Sequence, residues 1–176
     1  YDYATARINA LGLQDRVTIL LSDYRDLSGE FDKLVSIEMI EAVGEEYLDT
    51  YFAKCSSLLK PEGLMMLQAI TIVDQRYRQY VREVDFIKRY VFPGGCLPSL
   101  NVISGALTRR TDMQIIDLRD IALDYARTLQ HWHEAFLEEL DAVKAMGFDE
   151  KFIRMWRFYL SYCEGGFRER IIGTYQ

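Results

Sequence analysis

Positive charge, cysteine, histidine and proline are all scarce in this sequence, and each shortage closes off a class of function. Lys and Arg number 21 against 27 Asp and Glu, a net charge of -6 with a sequence pI near 5.0. A dedicated nucleic-acid binder should be strongly basic, so no nucleic-acid partner is expected. The three cysteines, Cys55, Cys96 and Cys163, are odd in number and far apart. They offer neither a disulfide framework nor a CxxC metal site, and they read as buried fillers in a reducing cytoplasm. The two histidines, His131 and His133, flank Trp132 in a predicted helix. At i, i+2 they point to different sides, so they cannot chelate one metal as an i, i+4 pair can. With 3 Pro and 11 Gly, collagen-like and low-complexity classes are excluded. No apolar run reaches the roughly 20 residues that span a bilayer, and the opening residues lack a signal-peptide pattern. GxSxG, Walker and GxGxxG motifs are missing as well, which removes the serine hydrolases and the simplest nucleotide folds.

What is present is globular in kind. The 176 residues are 49% hydrophobic and 27% charged, one domain's worth on the usual scale of roughly 100–200 residues. The chain opens YDYATARINALGL, where helical spacing begins without a Ser, Thr or Asn cap. It reads as a chain beginning inside an element.

Periodicity then predicts alternating segments. Residues 3–10 form a helix stopped near Gly12. Val17 to Leu21 and Lys33 to Ile37 are short apolar runs, hence strands, the second entered through the turn-like Leu27-Ser28-Gly29. Glu45 to Leu59 is a helix ended by Lys60-Pro61-Glu62-Gly63, and Leu64 to Ile72 is a buried strand. Gln75 to Tyr90 has helical spacing, the Gly/Pro-rich stretch from Phe92 to Ser99 is a loop, and Ser99 caps a helix to about Arg109. Met113 to Leu118 is a strand. Helices over about Tyr125–Met146 and Asp149–Glu164 follow, with Asp149 as a cap, before a closing strand from Arg170 to Gln176. Strands alternating with helices predict an α/β layer with a largely parallel sheet, whose ligands lie beyond the carboxyl ends of the strands.

That rule selects a few residues. Asp23 and Tyr24 follow the first strand; an acid and a flat ring suit an adenine rim, and an ordinary Asx turn with a surface Tyr looks the same. Glu38 and Glu41 follow the second, three apart and so on one face of a helical turn. Two such carboxylates suit acid/base or cation-binding work, or simply favour a helix dipole. The 12 Tyr and 9 Phe fit a generous core or an aromatic channel for an apolar substrate.

Four blocks, LSDYRDLSGEFDKLVSIEMIEAVG, SSLLKPEGLMMLQAITI, FIKRYVFPGGCLPS and LDYARTLQHWHEAF, together resemble the cyclopropane-fatty-acyl-phospholipid synthase family. YVFPGGCLPS and the block order carry the resemblance, which runs from Tyr1 to Gln176. It implies an α/β fold: a Rossmann-like class I methyltransferase sheet, incomplete at its N-terminal strands, with extra helices covering the acyl site. Residues 1–176 would be the C-terminal part of a single catalytic domain. In the family's strand order 3-2-1-4-5-7-6 the predicted strands correspond to the third through seventh, leaving an open seam beside the fourth.

The resemblance also implies chemistry. S-adenosyl-L-methionine would give its methyl group to the cis double bond of an unsaturated phospholipid acyl chain, and loss of a proton to a bound bicarbonate ion would close a cyclopropane ring. By position in the blocks, Glu41 matches the acid that helps hold bicarbonate, and Tyr125 and the backbone of Ile70 match further contacts. Gln68 stands where the family commonly has histidine, which weakens the anion site or alters the product towards methyl branching. Asp23 and Tyr24 match the adenine loop, and Ile37 the strand end beside the cofactor's methionine part. The family's Gly-rich cofactor loop, its ribose-binding acid and its bicarbonate-contacting cysteine match no residue here. The isolated chain is therefore expected to bind the cofactor poorly. The remaining implications are a cytoplasmic enzyme associated peripherally with the inner membrane face, and a possible homodimer. The alternatives are a methyltransferase for another lipid or small molecule, and a non-catalytic acyl-binding remnant.

Overall fold

A computed structural model describes all 176 residues. Three strands form its sheet in the order β1-β2-β3: β1 Phe31–Ile37, β2 Leu59–Ile72 and β3 Ile172–Tyr175. β1 runs parallel to β2, and β3 antiparallel to it. This agrees with the fourth, fifth and seventh strands in the order that the resemblance implies. The eight helices are α1 Asp2–Ala10, α2 Leu48–Ser57, α3 Asp74–Tyr80, α4 Phe86–Tyr90, α5 Leu100–Arg110, α6 Ala122–Glu138, α7 Leu140–Ala145 and α8 Glu150–Arg168. None is long and apolar enough to cross a membrane.

Alternation along β2 sorts the layers. Ala69 faces α2 and α5, where Ile40, Leu48, Tyr51, Phe52, Cys55, Ile103 and Ala106 form one core. Ile70 faces the other way, against α6 and α8, whose Ala122, Ala126, Leu129, Leu160 and Phe167 form a second. Along all of β1 and the first half of β2 that second face is uncovered: Phe31, Val35, Ile37, Leu64 and Met66 are all exposed, Val35 by 61%, so the strand expected to be buried from Leu64 onwards is buried only towards its end. The predicted caps are in place, with Ser99 accepting from Val102 N–H at 3.4 Å and Asp149 from Phe152 N–H at 2.8 Å.

Several sequence expectations are corrected. Residues 17–21 are irregular, with Leu20 and Leu21 exposed, because no strand lies beside them to complete a ladder. Residues 113–118 are not a strand either. The pairing with β3 comes slightly later, where Arg119 and Gln176 exchange both backbone hydrogen bonds and Asp120 bridges Tyr175. The helix expected over 75–90 is two, α3 and α4, separated by a turn in which Lys88 Nζ donates to the carbonyls of Tyr80 and Glu83. The long helix expected to Met146 starts at Ala122 and breaks at Glu139 into α6 and α7. The sheet is half parallel, because β3 returns antiparallel. β2 begins at Leu59, and Lys60–Gly63 loop out between Leu59 and Leu64, which pair with Phe31 and Lys33.

Candidate active site

The carboxyl end of β1 builds the site. After Ile37 the backbone turns sharply at Glu38, whose φ of 52° is left-handed. For a residue with a Cβ that conformation costs on the order of 1–2 kcal/mol. Glu38 N–H still donates to Gln68 O at 2.9 Å, and then the strand veers away. Ile70, further along β2, is left with no β1 partner for its N–H. Glu41, in the 3-10 turn Ile40–Ala42, fills that place: its Oε1 accepts from Ile70 N–H at 2.5 Å. The expectation that Glu38 and Glu41 share a face of one helical turn is corrected, since Glu38 lies in the bend before the turn. Their carboxyls nonetheless face a common space.

Glu38 is the hub of that space. Its Oε1 accepts from Gln68 Nε2 at 2.8 Å and its Oε2 from the Tyr125 hydroxyl at 2.9 Å. Gln68 Oε1 in turn accepts from Gln176 Nε2 at 2.8 Å. Three separate segments, β1, β2 and α6, thus meet on one carboxylate. Glu41 Oε2 is buried with no partner. Burial lifts the Glu41 carboxyl above the ordinary glutamate range, opposed by its backbone hydrogen bonds and reinforced by the charge of Glu38. Burial and then Glu38 likewise raise the Tyr125 hydroxyl, and burial carries Tyr159 up to about 12. Both phenols stay protonated, so Tyr125 is a donor.

Aromatic rings pack beside these groups. Tyr125 lies 4.8 Å from Phe167 and 6.4 Å from Trp132, ring centre to ring centre, and Tyr159 lies 5.0 Å from Trp156 and 6.3 Å from Phe92. The Gly/Pro loop locks the floor: Cys96 N–H donates to Glu41 O at 2.8 Å and Leu97 N–H to the Tyr80 hydroxyl at 3.1 Å.

Asp23 and Tyr24 line a separate open cleft of about 400 Å³ with Arg25, Met39, Ala42, Val43 and Tyr47. Asp23 caps the turn Tyr24–Asp26 and accepts from the Arg25 backbone and guanidinium, which holds its carboxyl down at about 2. Tyr24 packs edge-on against Tyr51 at 5.8 Å. Ile37 ends β1 on the uncovered face, 57% exposed, and does not line this cleft. The structure therefore brings Glu41, Gln68, Ile70 and Tyr125 together, and keeps Asp23 and Tyr24 together beside Met39. It adds Glu38 and Gln176 to the first group. Gln176 lies 108 positions from its partner, and no local pattern marks it. Of the two histidines singled out in the sequence, His133 Nδ1 lies 3.4 Å from Ser161 Oγ; at the end of α5, Arg109 and Arg110 are paired with Asp49. Cys55 is buried, while Cys96 and Cys163 are half-buried.

The profile of the family described as mycolic acid cyclopropane synthetase matches residues 1–176. The chain belongs to that family. It is 42% identical over 173 residues to tuberculostearic acid methyltransferase UfaA1 of Mycobacterium tuberculosis, covering 98% of this chain and 40% of that protein. It is 41% identical over 161 residues to cyclopropane-fatty-acyl-phospholipid synthase of Escherichia coli, covering 91% and 40%. The chain thus spans about two-fifths of the length of these curated relatives. Among solved structures, mycolic acid cyclopropane synthase CmaA1 complexed with SAH and CTAB superposes with a TM-score of 0.82 at 24% identity, over 95% of this chain and 63% of that one. That likeness places the fold among the Rossmann-like class I methyltransferases.

Proposed function

We propose that this chain is the C-terminal part of a methyltransferase catalytic domain, one that transfers the methyl group of S-adenosyl-L-methionine to the cis double bond of an unsaturated acyl chain. The observation that carries the reading is the meeting of Glu38, Glu41, Gln68 and Tyr125 beside a cluster of aromatic rings at the carboxyl end of β1 and β2. An alkene is a weak nucleophile, and its attack on a sulfonium methyl leaves a carbocation. Aromatic faces and carboxylates stabilise such a cation, and excluding water protects it.

The residues present fit one end of the cofactor. Asp23 offers an acceptor and Tyr24, with Met39, Ala42 and Val43, a flat apolar wall for the adenine. Ile37 would lie along the methionine part. When bound, the cofactor supplies the electrophilic methyl group. A separate bicarbonate ion does not fit. An anion needs N–H or O–H donors, and Gln68 Nε2, Tyr125 OH and Ile70 N–H already serve Glu38 and Glu41. The one unpartnered buried atom of these residues is Glu41 Oε2, an acceptor.

The substrate we favour is a phospholipid acyl chain presented at a membrane surface, in line with the Escherichia coli relative, and the working place the inner face of the cytoplasmic membrane. A second product has its own support. Gln68 stands where the resemblance implies a histidine, and the Mycobacterium tuberculosis relative is a tuberculostearic acid methyltransferase, so a methyl-branched chain is the runner-up. Full-length protein incubated with methyl-labelled cofactor and vesicles of unsaturated phospholipid tests both. Label in the lipid, with a gain of one CH2, supports the reading. Fragmentation of the product separates ring from branch, and label recovered only in free fatty acid redirects the substrate.

A further inference from the structure

Glu38 has no role in the chemistry that the resemblance implies, yet it receives both side-chain donors that the resemblance assigns to a bound anion. Gln68 Nε2 reaches one carboxylate oxygen at 2.8 Å and Tyr125 OH the other at 2.9 Å. A carboxylate and a bicarbonate ion present the same planar O–C–O edge and the same charge to such donors. The left-handed backbone at position 38, where glycine would sit without strain, is the local distortion that aims the side chain into the site. Gln68 and Tyr125 hold its two oxygens, so the carboxylate lies between β2 and α6, on the side where Glu41 reaches Ile70 N–H.

We propose that the Glu38 carboxylate is itself the proton acceptor of the reaction, standing in this chain where a bicarbonate ion would otherwise be held. The proposal rests on the methyl-transfer reading above. In the step, the alkene π pair forms a C–C bond to the sulfonium methyl carbon. The C–S bond breaks with its electron pair left on sulfur, giving S-adenosylhomocysteine. The cation then loses a proton to Glu38, and the released C–H pair closes the ring or forms a double bond. Glu38 is left as the neutral acid, hydrogen-bonded to Gln68, and returns the proton to water once the product has gone. Tyr125 and Gln68 are positioning residues that fix both oxygens.

The test uses the full-length protein, with dissolved carbonate removed under argon, and two variants. Glu38→Gln keeps the shape and removes the basicity. Glu38→Gly removes the side chain, relieves the left-handed strain and frees both donors. Cofactor binding is followed by calorimetry, and binding of 13C-labelled bicarbonate by line broadening in NMR. Wild type is expected to turn over without bicarbonate and to leave the labelled ion unbroadened. Glu38→Gln should lose at least about 100-fold in kcat, the scale of a general base, and gain nothing from added bicarbonate. Glu38→Gly should lose as much, broaden the bicarbonate signal and recover at least about tenfold when millimolar bicarbonate is added. All three should bind the cofactor equally. A wild type that stops when carbonate is removed, or a Glu38→Gln variant as fast as wild type, overturns the proposal and leaves the methyl-transfer reading standing. A wild type that transfers no methyl to any unsaturated lipid overturns both.

Discussion

The hydroxyl of Tyr125 donates to Glu38 at 2.9 Å across 87 positions of sequence, tying the first turn of α6 to the end of β1. One hydrogen bond thereby fixes the helical layer over the sheet at the point where the chemistry is placed. Removing the hydroxyl leaves the ring packing on Phe167 untouched and strands one carboxylate oxygen. Hydrogen bonds to charged groups contribute about 1.5–3 kcal/mol. Tyr125→Phe in the full-length protein should therefore lower kcat by roughly 10- to 100-fold with cofactor affinity unchanged. Steady-state kinetics beside calorimetry checks this, and a matching fall in cofactor affinity would move Tyr125 out of the role.

Glu41 separates charge from capping. Glu41→Gln keeps an oxygen for Ile70 N–H, so the fold should lose within about 1 kcal/mol, while Glu41→Ala leaves that N–H unpaired and should lose about 1–3 kcal/mol. Turnover should fall in both and cofactor binding persist, because Glu41 lies beside Glu38 at the reacting end and away from the Asp23–Tyr24 cleft. Urea unfolding and calorimetry read the two effects independently.

The same carboxyl gives stability a pH dependence. Its pKa is raised in the fold by burial, so folding binds its proton more tightly than the unfolded chain does. The contribution is complete below the unfolded value of 4.5 and is lost as pH rises through the higher folded value. Relative to Glu41→Gln, wild type should lose stability as pH rises from 4.5 through the higher folded value, and the difference should then level off. Urea midpoints for both proteins across mildly acidic to neutral pH would show it; a constant difference would mean the carboxyl is not protonated in the fold.

Phe167 is almost fully buried between α6 and α8 and lies 4.8 Å from Tyr125. Phe167→Ala should cost about 3–5 kcal/mol through the cavity it leaves. It should also slow turnover in protein that remains folded, since Tyr125 loses the wall that sets its angle. Thermal unfolding and kcat at low temperature distinguish these.

The isolated 176-residue chain leaves β1 with one unpaired edge and an apolar face of Phe31, Val35, Ile37, Leu64 and Met66 in water. Open edges and apolar patches of this kind associate. The isolated chain should show no micromolar cofactor binding by calorimetry and should self-associate on a sizing column, with Val35→Lys reducing that association. Micromolar binding by a monomer would overturn the expectation.

Much of this was legible in the sequence where local chemistry decides it. The β-branched and apolar run at Lys33–Ile37 and the apolar run Leu64–Ile72 marked the two parallel strands, and Ser99 and Asp149 cap their helices as their types demand. Val17–Leu21 has the same composition as a strand and is not one, because a strand exists only beside a partner. Glu139 ends α6 with no proline or glycine to announce it. In the site, Glu41, Gln68, Ile70 and Tyr125 came together through the resemblance. Glu38 was visible as an acid at a strand end, but its role depends on a left-handed φ and on partners 30 and 87 positions away. Periodicity carries no information at that range.

The loop Lys60–Gly63 has a practical meaning for anyone altering this protein. Because Leu59 and Leu64 already pair with residues only two apart on β1, the chain between them is slack that does not transmit its length to the strand. A peptide tag or a reporter group spliced in after Glu62 would be taken up there, provided Gly63 is kept, since a Cβ at that position would meet Lys60 O at 2.9 Å. One residue added between Leu64 and Gln68 would instead turn Gln68 and Ile70 to the opposite face of the sheet. The same strand thus offers a place to attach a handle and, a few residues on, a place where nothing can be added.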